Sequence, residues 1–346
     1  MKTKGYAALQ AGGPLLPFEF ERRTLGTKDV AFKVTHAGIC HSDIHQVREE
    51  WGAALFPMVP GHEIVGIVSE VGNGTSKFKV GDRIGVGVFI DSCRECRNCK
   101  KGLQQYCLNG MTGTYNGYER DGKTIAFGGY SDLFVINEDY AVTIPESLDL
   151  AGVAPLLCAG ITLYSPIKHW KTGPSSRVAV MGLGGLGHMG VKFAAALGAE
   201  VTVLSHSANK EADARAMGAA HFVLTKDEGW NKPLRRKFDL ILNTVSADLD
   251  LDPYLQLLDT DGTLVVIGLP GKPYAVNAGS LLDGRRSISG SMIGGMPELQ
   301  EMMDFCGAKN IVSDVEVIRA DYINQAYDRT VASDVKYRFV IDASTI

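Results

Sequence analysis

The spacing of apolar and polar residues changes character near residue 150. Before it, short β-type runs are punctuated by glycine: Val30–Val34, Glu63–Ser69, Arg83–Val88 and Tyr130–Val135, with Val71-Gly-Asn-Gly74 and Val80-Gly-Asp82 as turn signals between them. That pattern predicts a twisted, barrel-like β region. After about residue 175, runs such as Arg177–Met181, Val201–Leu204, Phe238–Val245 and Thr263–Gly268 are almost uniformly apolar and alternate with helical stretches. Strands buried on both faces look like this, so a parallel α/β sheet is predicted. Helices are expected over Leu186–Leu197, Asn209–Met217 and Asp252–Leu258. From about Pro297 a helix ending near Cys306 leads to a final strand, Tyr337–Ile341. No internal repeat or low-complexity linker interrupts this order.

Length and charge narrow the classes. A chain of 346 residues exceeds the size at which one core stops growing, so two domains are expected. Hydrophobic content of 45% and charged content of 21% are those of an ordinary globular protein. A formal net charge of −4 creates no field that would gather nucleic acid or an anionic membrane. The first residues hold no apolar run resembling a signal peptide, and no stretch approaches the roughly 20 apolar residues of a membrane span. A cytoplasmic location is expected, where clustered thiols mean metal more often than disulfide.

Of seven cysteines, four form Cys93-x2-Cys96-x2-Cys99-x7-Cys107. Thiolates at that spacing close a tetrahedron around one Zn²⁺, and such a closed site supports fold and not chemistry. Catalysis by metal would need other ligands, and Cys40, His62 and Cys158 are the candidates. Cys306 lies in an amphipathic stretch and reads as a small core residue.

Gly182-Leu-Gly184-Gly185-Leu186-Gly187 follows a predicted strand and opens a predicted helix. This is the context in which glycines give a tight turn and a helix N-terminus binds pyrophosphate. The next strand ends in Leu204, followed by Ser205-His206-Ser207 and then Lys210, with no carboxylate before Glu211. Hydroxyls and an ammonium suit a 2′-phosphate, so NADP is favoured over NAD. The alternative is that Ser207 caps the next helix and Lys210 is a solvated surface charge.

Gly38-Ile-Cys40-His41-Ser42-Asp43-Ile-His45 gathers a thiol, a hydroxyl, an acid and two imidazoles, and Pro60-Gly61-His62-Glu63 follows at a turn. Two thiolates and an imidazole would leave zinc an open position for water or substrate, although each residue alone could be structural.

These motifs, the four-cysteine loop, Gly182–Gly190, Leu157–Ser165 and Asp334–Asp342 together resemble the zinc-dependent medium-chain alcohol dehydrogenases, and within them the cinnamyl alcohol dehydrogenase-like branch and its bacterial NADP-dependent members. The resemblance runs the length of the chain. It implies a GroES-like β-barrel catalytic domain over residues 1–158, to which 297–346 return, and a Rossmann doubly wound parallel sheet over 159–296. It implies a catalytic zinc on Cys40, His62 and Cys158 with Glu63 close behind, and a structural zinc on Cys93, Cys96, Cys99 and Cys107. Ser42 would pass a proton through the nicotinamide ribose towards His45, and Asp43 would orient a ligand imidazole. His41 and Thr162 would lie near NADP(H), with Gly182, Gly184, Gly185, Leu186, Gly187, Ser205, His206, Ser207 and Lys210. The implied reaction is hydride transfer between NADP(H) and primary alcohols or aldehydes, in a homodimer with only small-molecule partners.

Departures from the plant-type pattern concern the pocket. Gly113 stands where a tryptophan is usual, two residues before Tyr115-Asn116, while Trp51 adds an indole near Phe56-Pro57. Trp51, Met292 and Ile293 are the expected pocket residues. Among rivals, zinc-free quinone or enoyl reductases lack the ligand set, and polyol dehydrogenases carry a carboxylate ligand in place of Cys158. A nucleic-acid-binding zinc module would use Arg94, Arg97, Lys100 and Lys101, but those cations also suit the −2 charge of a tetrathiolate zinc site.

Overall fold

The computed structural model describes residues 1–346, and the chain divides into two compact units. One comprises Met1–Ile161 with Gly294–Ile346, the other Thr162–Ile293.

The first unit is built on a mixed sheet whose strands lie in the order Val142–Thr143, Arg83–Val86, Ile64–Val71, Asp29–Gly38, Arg338–Asp342 and Val315–Arg319. Leu133–Asn137 also pairs with Asp29–Gly38. Every pairing is antiparallel except Val315–Arg319 with Arg338–Asp342. Lys2–Ala8 and Leu15–Glu21 form a separate antiparallel ribbon. Their burial alternates with the pleat: Thr3 and Ala7 are buried while Lys2 and Lys4 face out. One core of this unit joins Ile39, Ile44, Met58 and Tyr130 to Ile323, Tyr327, Phe339 and Ile341. The late segment is thus packed into the centre of the unit rather than appended to it.

The second unit is a six-stranded, wholly parallel sheet. Across the sheet the strands run His221–Leu224, Glu200–Ser205, Arg177–Met181, Phe238–Asn243, Leu258–Val266 and Ser287–Gly290. In chain order that is 3-2-1-4-5-6, the doubly wound arrangement that places a ligand crevice at the carboxyl end of the first strand. Val178, Ala179, Val180, Val201, Val203, Ile241 and Leu242 are fully buried, as uniform apolar runs require.

Local differences from the sequence reading have local causes. The helix expected over Asp252–Leu258 ends at Leu255, and the strand expected from Thr263 begins at Leu258. Asp259, Asp261 and Gly262 are poor strand formers, and Asp261 takes a left-handed φ of 65° where the register with the neighbouring strand shifts. No single helix is long and apolar enough to cross a membrane.

Candidate functional site

Cys40 ends the turn after strand Asp29–Gly38 and caps the helix His41–Val47. His62 and Glu63 sit on the turn that enters strand Ile64–Val71. Cys158 lies between the 3-10 turn Ala154–Leu157 and the helix Ala159–His169. The fold gathers the four, with one donor atom from each within 4.8 Å of all the others, and all four residues are buried. Cys40 Sγ and Cys158 Sγ are 4.0 Å apart across 118 residues of sequence.

Asp43 organises this cluster. Its Oδ1 lies 3.0 Å from His62 Nδ1 and accepts from Gly61 N at 3.2 Å, while its Oδ2 accepts from Cys40 N at 2.9 Å. In the neutral ring, Nδ1–H on a carboxylate leaves His62 Nε2 as the acceptor, and that buried atom has no protein hydrogen-bond partner. Glu63 is tied through one oxygen to the buried Arg338 guanidinium, and its other oxygen, Oε2, is likewise without a partner. Two sulfurs, an orphaned imidazole nitrogen and an orphaned carboxylate oxygen are a donor set that fits zinc.

The electrostatics follow from burial. Desolvation raises the Glu63 carboxyl to about 8, although Arg338 opposes it. The hydrogen bond from Cys158 holds the Cys40 thiol well below its usual range, and the same bond, with burial, pushes Cys158 up. A bound divalent cation would favour the deprotonated form of every donor: thiolate, carboxylate and neutral imidazole.

Around the cluster, Ser42 Oγ is 3.5 Å from Cys40 Sγ. The ring of Tyr115 stacks on His62 with centroids 5.9 Å apart. His45 Nδ1 pairs with Glu50, and Trp51 stacks on the His45 ring at 4.7 Å and is about half exposed. Trp51 therefore packs against an imidazole with about half of its surface exposed. His41 and His45 rings are 5.1 Å apart. A Cβ at Gly113 would meet only the Tyr115 carbonyl oxygen, at 3.3 Å.

The second cysteine group is also assembled within 4.8 Å. Cys96 caps the short helix Arg97–Lys100, and its sulfur accepts from Cys99 N and Leu108 N, both at 3.5 Å. These backbone bonds lower the Cys96 thiol to about 6, whereas burial lifts Cys99 to about 11. Cys93 Sγ accepts from Cys96 N and Cys107 Sγ from Cys93 N, each at 3.4 Å. Arg94, expected to balance thiolate charge, pairs instead with Asp91 at 3.0 Å and Asp139 at 2.6 Å. The cation that reaches a sulfur is Arg120, 3.9 Å from Cys107. Its place, 13 residues beyond the last cysteine, gave no sign of that in the sequence.

In the second unit the Gly182–Gly187 loop leaves strand Arg177–Met181 and enters the helix Gly187–Ala196. Gly182 has φ +84°, and a Cβ at Gly187 would lie 2.0 Å from the Gly182 carbonyl oxygen. Only glycine fits either place. Gly184, Gly185 and Leu186 form the loop between them, where a Cβ at Gly184 would meet nothing. Ser205 is buried at the end of the adjacent strand and accepts from Ser207 N at 3.1 Å. His206 is exposed. Ser207 makes no side-chain cap, and Lys210 is half buried with Nζ donating 2.8 Å to the Leu183 carbonyl. Neither serves as the cap or solvated charge of the alternative reading. Thr162 is buried at the start of this unit, while Met292 is exposed and Ile293 buried at its end.

Residues the sequence reading passed over are Arg338, Tyr115, Tyr130 and Arg120. Arg338 carried a usable signal: a lone charge inside the apolar run Tyr337–Ile341 needs a buried counter-charge.

Comparison with known proteins agrees along the chain. Residues 26–146 match the alcohol dehydrogenase GroES-like domain and residues 185–308 the zinc-binding dehydrogenase family. The NADP-dependent alcohol dehydrogenase C 1 of Mycolicibacterium smegmatis is 56% identical over 345 residues, 99% of each chain. A cinnamyl alcohol dehydrogenase structure from Sorghum bicolor superposes with TM-score 0.95 at 44% identity, covering 99% of this chain and 98% of that one. The structure of CAD from Helicobacter pylori complexed with NADP(H) gives 0.92 at 40% identity, with 99% of each covered. With both domains matched and this identity over nearly its full length, the chain belongs to the zinc-binding alcohol dehydrogenase family, with a GroES-like domain and a Rossmann-type parallel sheet.

Proposed function

We propose that this protein is a zinc-dependent, NADP(H)-dependent alcohol dehydrogenase acting on primary alcohols and aldehydes, with aldehyde reduction its cellular direction. The observation that carries the reading is the convergence of Cys40, His62, Glu63 and Cys158 around an unpartnered His62 Nε2, separate from a complete tetrathiolate group. Cys40, His62 and Cys158 would hold the catalytic ion, with Glu63 able to join them, and the four-cysteine lobe the structural one. When bound, zinc supplies Lewis acidity towards the reacting oxygen, and NADP(H) supplies or accepts hydride.

The chain's own groups do the rest. Asp43 holds His62 in the tautomer that leaves Nε2 free to ligate. Ser42 and His45 lie three residues apart on the helix His41–Val47 and so share a face. The Ser42 hydroxyl exchanges a proton with the reacting oxygen, and His45, part exposed and held at Nδ1 by Glu50, carries it to solvent. The ring of Tyr115 walls the imidazole on one side, and glycine at 113, where plant-type relatives carry tryptophan, removes a bulky wall and with it a demand for a cinnamyl group. In the second unit the turn Gly182–Gly187 offers its backbone and a helix N-terminus to a pyrophosphate. Ser205, Ser207 and Lys210 are the groups for a 2′-phosphate, with no carboxylate among them to repel it.

We further propose a cytoplasmic homodimer joined through the edge strand Ser287–Gly290, which is paired on one side only. The seven free cysteines accord with a reducing compartment.

A panel of aromatic and aliphatic aldehydes assayed with NADPH and with NADH tests substrate class and cofactor together. Turnover with NADPH well above that with NADH is expected. Turnover of no aldehyde or alcohol with either cofactor, in protein shown to hold two zinc ions, refutes the assignment.

A further inference from the structure

Tyr130 is fully buried, and its hydroxyl donates to Asp43 Oδ2 at 3.1 Å. Cys40 N, Gly61 N and His62 Nδ1 already bond that carboxylate, the phenol adds a donor on Oδ2, and Tyr115 also acts on Asp43. A carboxylate offers about four lone-pair sites, so this set holds it closely. The backbone of Tyr130 and of its neighbour Gly129 grips the turn that carries His62: Tyr130 N donates to Pro60 O at 3.0 Å and Gly129 N to Gly61 O at 2.9 Å. The phenol ring covers that turn so closely that a Cβ at Gly61, which has φ +104°, would lie 2.5 Å from Tyr130 Cδ1. Behind it, Tyr327 OH donates to Tyr130 OH at 3.5 Å, bringing in the helix Ile323–Val331 from the returning segment.

We infer that Tyr130 is a positioning residue for the metal-ligating imidazole: it fixes Asp43 by its hydroxyl and the His62 turn by its ring and backbone, and Tyr327 supports it from behind. The inference rests on the reading of Cys40, His62 and Cys158 as ligands. The Tyr130 hydroxyl bonds to Asp43 and Tyr327 and to none of the ligand atoms. It acts only through Asp43. Without it, Oδ2 keeps only the bond from Cys40 N, and the carboxylate is held less firmly against His62 Nδ1.

The test uses the full-length protein with cobalt exchanged into the catalytic site, because cobalt's visible bands report ligand geometry independently of turnover. Tyr130→Phe keeps the ring against Gly61 and removes only the hydroxyl. Its cobalt bands are expected to shift, and metal is expected to pass to a chelator about tenfold faster, the lower end of what outer partners of metal ligands contribute. kcat falls with KM little changed. Native protein that takes up cobalt without sulfur-to-metal charge-transfer absorption beyond that of the four-cysteine lobe defeats the ligand assignment itself. Native protein with those bands, and a Tyr130→Phe variant matching it in bands and release rate, overturns the inference about Tyr130. In an Asp43→Asn background, Tyr130→Phe should add no further shift, and an additive shift overturns the route through Asp43. If Tyr130→Phe does not fold, Tyr327→Phe decides: a smaller shift in the same direction supports the chain of hydroxyls, and unchanged bands overturn it.

Discussion

Asp43→Asn is the substitution whose consequence can be worked most fully from the structure. The side chain keeps its volume but exchanges one acceptor oxygen for an amide donor. Suppose the remaining oxygen faces His62 Nδ1 and Gly61 N, now 3.0 and 3.2 Å from Oδ1. The amide then faces Cys40 N and the Tyr130 hydroxyl, now 2.9 and 3.1 Å from Oδ2. The phenol can rotate its hydrogen and accept, but the Cys40 N–H cannot. A buried donor left alone costs about 1–3 kcal/mol. Loss of the charge on the two retained bonds removes about 1 kcal/mol each, the difference between bonds to charged and to neutral acceptors. The total is about 3–5 kcal/mol. Metal affinity should take about 10–100-fold of this, or about 1.4–2.7 kcal/mol, and the remainder should lower the unfolding free energy. Chelator competition on the loaded protein measures the first part and urea denaturation the second. Affinity within twofold of native together with an unchanged urea midpoint would show that Asp43 does not organise the site, and the reasoning above would fail.

Cys158→Ala should abolish aldehyde reduction while circular dichroism and the thermal midpoint of the fold change little; retained turnover refutes its assignment as a ligand. Cys107→Ser, in the lobe where four sulfurs lie together, should lower bound zinc from two ions per chain towards one and lower the thermal midpoint; an unchanged stoichiometry separates that lobe from metal binding. Ser205→Asp can keep the bond to Ser207 N while setting a charge against a 2′-phosphate. With the two groups about 5 Å apart in water-like surroundings the repulsion is about 1.7 kcal/mol, so the ratio of kcat/KM for NADPH over NADH should fall by more than tenfold. A constant ratio means that the phosphate is held elsewhere.

What the sequence disclosed depended on how local each signal was. The cysteine spacing and the Gly182–Gly187 turn carry their geometry within a few residues, and strand Arg177–Met181 has the bounds its apolar run suggests. The helix Met296–Lys309 was legible up to Cys306 because its apolar positions keep helical spacing. The ribbon Lys2–Ala8 and Leu15–Glu21 was missed, since the buried side of its first strand carries only Thr3, Gly5 and Ala7, too small and mixed to read as an apolar run. Strand Val315–Arg319 was missed because it is half exposed and its pattern is weak. The candidate ligands could be named, but the groups that orient them could not. Glu63 and Arg338 are 275 residues apart, and Asp43 and Tyr130 are 87 apart. Asp43 meets Tyr130 by tertiary packing within residues 1–161, and Glu63 meets Arg338 only because the late segment folds back into the first unit.

That path also sets an order of assembly. Cys40, His62, Glu63 and Cys158 all precede the second unit in the chain, while Arg338 follows it. On a ribosome adding about 5–20 residues per second, the second unit takes on the order of ten seconds to make. Throughout that interval every sulfur and nitrogen donor of the site exists, but the cation that neutralises Glu63 does not. A newly made chain therefore presents its candidate ligands before Arg338 exists to pair with Glu63. It gains the guanidinium that closes the site only when synthesis reaches the last strands of the first unit.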